Sequence, residues 1–195
     1  MDKYIGNILA KLHDLGLDED TIVVFTTDHG HFFGQHGLNK KGPFHYEDMI
    51  KIPMIARWPG RIPSDTRSAA LQSLVDLPVT FLNMTGLKTP RCMTGIDQSQ
   101  VWLGRKERAR EHIIVENHHE PTTIHLKTYV NDRYKITVYL NQRYGELFDL
   151  QKDPQEISNL WNDPDYTELK ADLIMKLLFA EMAKEPMITP RTAGA

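Results

Sequence analysis

Thr27-Asp28-His29-Gly30 sets a carboxylate beside an imidazole at the end of a β-branched apolar run, TIVVFTTD, and follows them with a residue that lets the backbone turn sharply or approach a ligand. Adjacent Asp and His at the point where a strand gives way to loop can both turn toward one metal ion. The same four residues can equally form a capped turn with a hydrogen-bonded histidine. Lys40-Lys41-Gly42-Pro43, with His36 and His45 on either side, adds cations to the same stretch. A cationic pocket beside a metal suits hydrolysis of a phosphate or sulfate ester, because negative charge on the non-bridging oxygens must be held while the leaving oxygen departs. The alternative is a plain solvated lysine pair. Glu116-Asn117-His118-His119-Glu120 repeats ligand-type residues, and the choice there lies between metal or substrate contacts and an ordinary polar connection between strands.

The elements that must position these groups can be read from periodicity. Ile5, Ile8, Leu9, Leu12 and Leu15 recur at helical spacing before Gly16, which predicts an amphipathic helix over residues 2–15 that buries one stripe. Thr21 to Asp28 has the length and composition of a strand buried on both faces of a parallel sheet. The histidine- and glycine-rich stretch that follows lacks periodicity and reads as a long loop at the strand's C-terminal end, where open α/β sheets carry their sites. Ile52 to Gly60 predicts a second short strand closed by a Pro-Gly turn, and Ser73 to Gly86 an apolar packing segment, helical or irregular. Beyond about Arg91, HIIVEN, TIHLKTYV, RYKITVYL and YGELFDL predict an antiparallel sheet of three or four strands. Asp153-Pro154-Gln155-Glu156 has the residues of a helix start, and Asp163-Pro164 opens a longer helix to about Lys184 whose stripe is Leu169, Leu173, Leu177 and Leu178. The tail EPMITPRTAGA is expected to be loosely held. The fold class is therefore α/β, with the end of a parallel-sheet domain over residues 1–92 and a small antiparallel subdomain with a C-terminal helix over residues 93–195.

Composition narrows the partners. The chain has 195 residues, 41% hydrophobic and 25% charged, and 23 basic against 26 acidic side chains give a net charge of −3. That balance is globular and offers no global field toward nucleic acid or an anionic membrane, and no apolar run is long enough to span a bilayer. The single cysteine, Cys92, excludes a disulfide framework and reads as a small packing residue.

Four stretches, in order and with natural spacing, resemble the C-terminal portion of the sulfatase family in the alkaline phosphatase superfamily. They are DKYIGNILAKLHDLGLDEDTIVVFTTDHG, FGQHGLNKKGPFHYEDMIKIPMIARWPG, SLVDLPVTFLNMTGL and YGELFDLQKDPQEISNLW, and together they cover nearly the whole chain. The resemblance implies that Asp28 and His29 are metal ligands and that Lys41 contacts the sulfate group. His36 and His45 lie in the matching loop as further substrate contacts. His118, His119, His125 and Arg133 are candidates for contacts to the rest of the substrate. The family metal is calcium, a hard cation that favours oxygen ligands. His29 departs from the Asp-Asn form of the pair and leaves magnesium, manganese or zinc open.

The family's nucleophile, a formylglycine made from Cys or Ser in a C-x-P-x-R-like motif, has no counterpart here, because Cys92 sits in PRCMTG. The chain thus resembles about the last two fifths of a sulfatase, and formylglycine is expected only in a missing N-terminal part. The implied parent hydrolyses a sulfate ester of a small molecule or carbohydrate, and these residues alone are expected to be inactive. A phosphohydrolase of the same superfamily and a non-catalytic, self-associating module are the alternatives. Self-association is expected because half a sheet leaves an open strand edge and apolar faces. Periplasmic, secreted and cytoplasmic locations all remain compatible with the sequence.

Overall fold

The computed structural model describes residues 1–119 and 123–184. Glu120 and the tail EPMITPRTAGA lie outside the described residues. In chain order the main elements are α1 (Asp2–Asp14), β1 (Val23–Thr26), β2 (Phe32–Phe33), β3 (Asn39–Lys40), α2 (Glu47–Ile50), β4 (Met54–Arg57), α3 (Asp76–Met84), α4 (Ser99–Trp102), β5 (Ile113–His119), β6 (Ile124–Val130), β7 (Tyr134–Tyr139), β8 (Gly145–Asp149) and α5 (Thr167–Ala183). A 3₁₀ turn, Pro164–Tyr166, leads into α5, with the Asp163 carboxylate accepting from the Asp165 amide at its start.

Strands β5, β6, β7 and β8 form one antiparallel meander in sequence order. Alternation along these strands gives the sheet two different faces. Tyr129, Ile136 and Leu147 pack under Leu173, Leu177 and Ala180 of α5, and this is the hydrophobic core. Burying each such leucine contributes about 1.5–3 kcal/mol. The opposite face carries Thr128, Lys135, Thr137 and Glu146, and it too is buried. What covers it is the segment Phe32 to Met49, whose Phe32, His45 and Met49 are themselves buried.

The mixed α/β class and the four-stranded sheet with its C-terminal helix follow the sequence expectation. Several details differ. β1 pairs with β4, antiparallel and in the register Val23↔Arg57 to Thr26↔Met54, and its residues are half-buried rather than buried on both faces. Its apolar run is the same whether the neighbouring strand is parallel or antiparallel, so composition cannot give direction. No residue of α1 is buried, and Ile8 and Leu15 of its stripe are exposed. Asp153-Pro154-Gln155-Glu156 forms a turn instead of a helix, because Glu156 takes a positive φ of 56° and points into the core. Leu178 is exposed while Leu173 and Leu177 are buried. Cys92 is exposed too, unlike the packing residue the sequence suggested.

Candidate active-site loop

At the end of β1 the chain turns through Asp28-His29-Gly30. The Asp28 carboxylate receives the Thr27 hydroxyl (3.1 Å) and the His29 amide (3.0 Å) on Oδ1. These donors, the Thr27 hydroxyl foremost, hold its pKa below the ordinary carboxylate range. His29 Nδ1 lies 2.7 Å from the Gly30 carbonyl. A carbonyl only accepts, so Nδ1 carries the proton and the lone pair of neutral His29 sits on Nε2. That Nε2 is 3.6 Å from Asp28 Oδ2, and both side chains reach solvent, at 40% and 82% exposure. Two electron-pair donors facing each other at this separation fit a shared cation, and a backbone-fixed tautomer is how proteins commonly hold a metal-binding imidazole. Among the described residues no group of three or more His, Cys, Asp or Glu could hold a metal, and Asp28 and His29 stand as a pair.

Gly30 is needed for a close approach of a different kind from a ligand contact. A Cβ on it would stand 1.8 Å from the Asp48 carbonyl oxygen. The tight fit lets Gly30 N donate to Met49 O (2.7 Å) and His31 N to Asp48 O (3.1 Å), so the loop after the Asp-His pair is fastened to α2. In turn α2 and the residues before it are fastened to the polar face of the sheet. His45 Nδ1 meets Thr128 Oγ1 at 2.8 Å, and the Tyr46 hydroxyl donates to Glu146 Oε1 at 2.7 Å. The Glu47 amide donates to Glu156 Oε2 at 2.6 Å. Lys135, 1% exposed, forms ion pairs with Glu47 Oε1 at 3.2 Å and with Glu156 Oε1. Burial pushes the Glu156 carboxyl up, against the pull of Lys135. Burial and then the Lys135 charge push His45 down to about 4.

The other sequence candidates fall in different places. Lys41 is exposed directly after β3, whose hairpin pairs Phe32 with Lys40. His36 occupies the turn of that hairpin with φ 53°, stacked on Tyr46 (centroids 3.8 Å, planes 7° apart) and 3.9 Å from Asp48 Oδ2. His45 faces the sheet, as described. His118 and His125 are cross-strand partners with rings 3.7 Å apart, on the β5–β6 hairpin. His119 is on β5, paired with Ile124. Arg133 grips Asp149 through Nε (3.1 Å) and Nη2 (2.8 Å).

Several residues that shape the site were not singled out by sequence reasoning. Glu146 accepts from three tyrosine hydroxyls, Tyr46, Tyr139 (2.8 Å, Oε2) and Tyr144 (3.3 Å, Oε1). Asp76 is 1% exposed and accepts from Ser73 N, Ile96 N, Gln98 Nε2 and Arg110 Nη2. The signal available was the pairing of each acid with its motif: Glu146, Asp149 and Glu156 all sit in GELFDLQKDPQE, and each has a buried or half-buried partner.

Two clefts differ in character. One, about 940 Å³, runs between Arg91, Arg108, Arg110, Lys184 and the start of β5. Three of these cations are already matched, by Glu111 and Asp132, by Asp76, and by Glu116 and Glu181. The other, about 380 Å³, is lined by His36, Leu38, Phe44, Tyr46, Ile124, Tyr139, Tyr144 and Glu146.

Residues 34–183 match the family model described as N-sulphoglucosamine sulphohydrolase, C-terminal. The chain belongs to the sulfatase family, in its C-terminal portion. It is similar to an N-acetylglucosamine-6-O-sulfatase of Bacteroides thetaiotaomicron, 28% identical over 91% of this chain and 33% of that protein. A Delta 4,5-hexuronate-2-O-sulfatase of the same organism is 30% identical over 88% of this chain and 37% of its own length. The chain spans about a third of the length of these relatives. In fold it resembles a protein solved with its substrate D-glucosamine-2-N,6-O-disulfate, with TM-score 0.87, 24% identity, and coverage of 97% of this chain and 40% of that one. The phosphonate monoester hydrolase of Agrobacterium radiobacter has the same fold at TM-score 0.85 and 24% identity, covering 95% of this chain and 40% of that one.

Proposed function

We propose that this chain supplies the cation- and sulfate-holding part of a sulfate-ester hydrolase site acting on a sulfated small molecule or carbohydrate. The observation that carries the reading is the His29 tautomer: Nδ1 donates to Gly30 O, which leaves Nε2 as an electron-pair donor beside the ionised Asp28. A divalent cation bound there, calcium first and magnesium, manganese or zinc as alternatives, would neutralise charge on the non-bridging sulfate oxygens. Asp28 and His29 hold and orient that cation, Lys41 attracts the sulfate, and His36 stands in the same loop as a substrate contact. The hydrogen bonds from Gly30 and His31 to α2 keep the pair from drifting. The names of the curated relatives support a sulfated carbohydrate as substrate.

The sequence holds no C-x-P-x-R-like motif, and the exposed Cys92 has neither its proline nor its arginine. Positioning groups without a nucleophile cannot form the covalent intermediate, so the 195 residues alone turn nothing over. The test is release of 4-nitrophenol from its sulfate ester by the purified chain with calcium, magnesium, manganese or zinc. Metal-dependent release above the uncatalysed rate would overturn the division of labour. An aryl phosphate in parallel addresses the phosphohydrolase alternative, to which the imidazole ligand lends support because imidazole suits zinc better than calcium.

The chain also self-associates in this reading. Ile174, Met175, Leu178, Phe179 and Met182 are exposed along α5, and contiguous apolar surface of this kind favours association. Sedimentation at micromolar concentration is expected to show species larger than a monomer, reduced by Phe179→Glu; a monomer throughout would refute it.

A further inference from the structure

The 380 Å³ cleft has walls from both halves of the chain: Leu38, Phe44 and Tyr46 from one, Ile124, Tyr139 and Tyr144 from the other. Leu38 and Phe44 flank Lys41 in sequence, so the cleft adjoins the loop assigned above to the sulfate. Its aromatic walls suit the C–H faces of a ring. Its polar edge has an unusual property. The buried Glu146 is acceptor-only when ionised, and all three phenol protons are directed to it, at 2.7, 2.8 and 3.3 Å. Each phenol oxygen can then only accept a further hydrogen bond. A sulfate or carboxylate brings only acceptors and finds no phenol proton left to accept, whereas a hydroxyl-bearing ring brings donors. His36, at φ 53° in the β2–β3 turn, lays its ring flat against Tyr46 and completes the cleft wall.

We propose that this cleft is the subsite for the uncharged, hydroxyl-bearing ring of the sulfated substrate, with the ring's hydroxyls donating to the phenol oxygens of Tyr46, Tyr139 and Tyr144 and its sulfate directed at the Lys41 loop. This rests on the reading of Lys41 as the sulfate contact. The volume lies within the ~300–1,000 Å³ typical of ligand sites, at the end that suits one sugar ring. Orientation follows from chemistry alone, since the edge that attracts hydroxyls disfavours the anionic group and turns it away.

The test uses the full 195-residue chain and nuclear magnetic resonance titration with three probes: methyl β-D-glucoside 6-sulfate, the same glycoside sulfate with its free hydroxyls methylated, and inorganic sulfate. The sulfated glycoside is expected to bind at least tenfold more tightly than its methylated form. Tyr144→Ala, at a half-exposed position, and Ile124→Trp, which fills the cleft, each weaken the glycoside at least tenfold and leave inorganic sulfate unchanged. Lys41→Ala weakens both. Circular dichroism confirms that each variant is folded, and Tyr144→Ala decides if Ile124→Trp is not. Equal binding of the glycoside to wild type and Tyr144→Ala, no preference over the methylated probe, or no binding of the glycoside at all would overturn the subsite. Unchanged sulfate binding in Lys41→Ala, with the ring preference intact, would instead overturn the reading of Lys41 and leave the subsite standing.

Discussion

Replacing Lys135 by methionine removes the one cation paired with Glu156 among the described residues while keeping the length and apolar stem of the side chain. Both partners are about 1% exposed, so the carboxylate left behind has no water to replace the ammonium. Glu47, the second partner, is 20% exposed and lies 3.7 Å from Lys51, so it can turn outward. The cost therefore comes from one stranded charge, about 3–5 kcal/mol. At roughly 2–4 °C per kcal/mol for a chain of this size, the melting temperature should fall by roughly 6–20 °C. Adding Glu156→Gln removes the charge and keeps an acceptor for the Glu47 amide, so the double variant should recover to within about 2 kcal/mol of wild type. The sign with pH is fixed as well. Burial already raises the folded-state pKa of Glu156, and loss of Lys135 raises it further. A carboxylate with a raised folded pKa stabilises below its unfolded pKa and loses that contribution as pH rises through the folded value. The single variant should thus be closer to wild type at pH 5 than at pH 8. Urea titrations at pH 5 and pH 8, followed by circular dichroism, measure the free-energy changes, and thermal melts the fall in melting temperature. A loss below about 1 kcal/mol, or a double variant as unstable as the single one, would refute the picture of a stranded buried charge.

Gly30→Ala should destabilise the chain by about 1–3 kcal/mol and weaken any cation binding, because its Cβ meets the Asp48 carbonyl at 1.8 Å; urea titration and calcium titration read the two effects. His45, whose pKa falls to about 4 in the folded chain, should cost about 3 kcal/mol of stability as pH drops from 6.5 to 4, since the unfolded chain takes up the proton first. His45→Gln should flatten that part of the stability–pH curve, and an unchanged slope would exclude His45 as its source.

The strands and helices of this chain were legible because β-branched alternation and helical spacing are local properties. All four strands of the meander were visible as short β-branched and aromatic runs, as was α5 from Leu169, Leu173 and Leu177. Direction and exposure were not legible, because they depend on what lies opposite. Nothing local in the sequence marks Thr128, Lys135, Thr137 and Glu146 as buried, yet the segment Phe32 to Met49 covers them. Glu156 read as a helix-start residue because Asp-Pro-Gln-Glu is a good local fit, and a buried partner 21 positions earlier in sequence, Lys135, overrode it. In the candidate site the Asp28-His29 pair was visible from its position at a strand end. The Glu146 and tyrosine cluster was not, since Tyr46 lies 100 residues from its acceptor.

Residues 45–49 are tied on both sides: His45, Tyr46 and Glu47 to the sheet, and the carbonyls of Asp48 and Met49 to the loop that carries Asp28 and His29. Five consecutive residues of this kind make the meander a gauge for events at the loop. A ligand that prefers the ordered loop must raise the melting point of strands it never touches, by an amount that grows with its free concentration. Trp161 rests against Gly145 on β8, so close that a Cβ there would lie 2.4 Å from the indole. Its share of the tryptophan fluorescence should therefore report occupancy of the proposed cation and sulfate positions through the sheet, with no label attached.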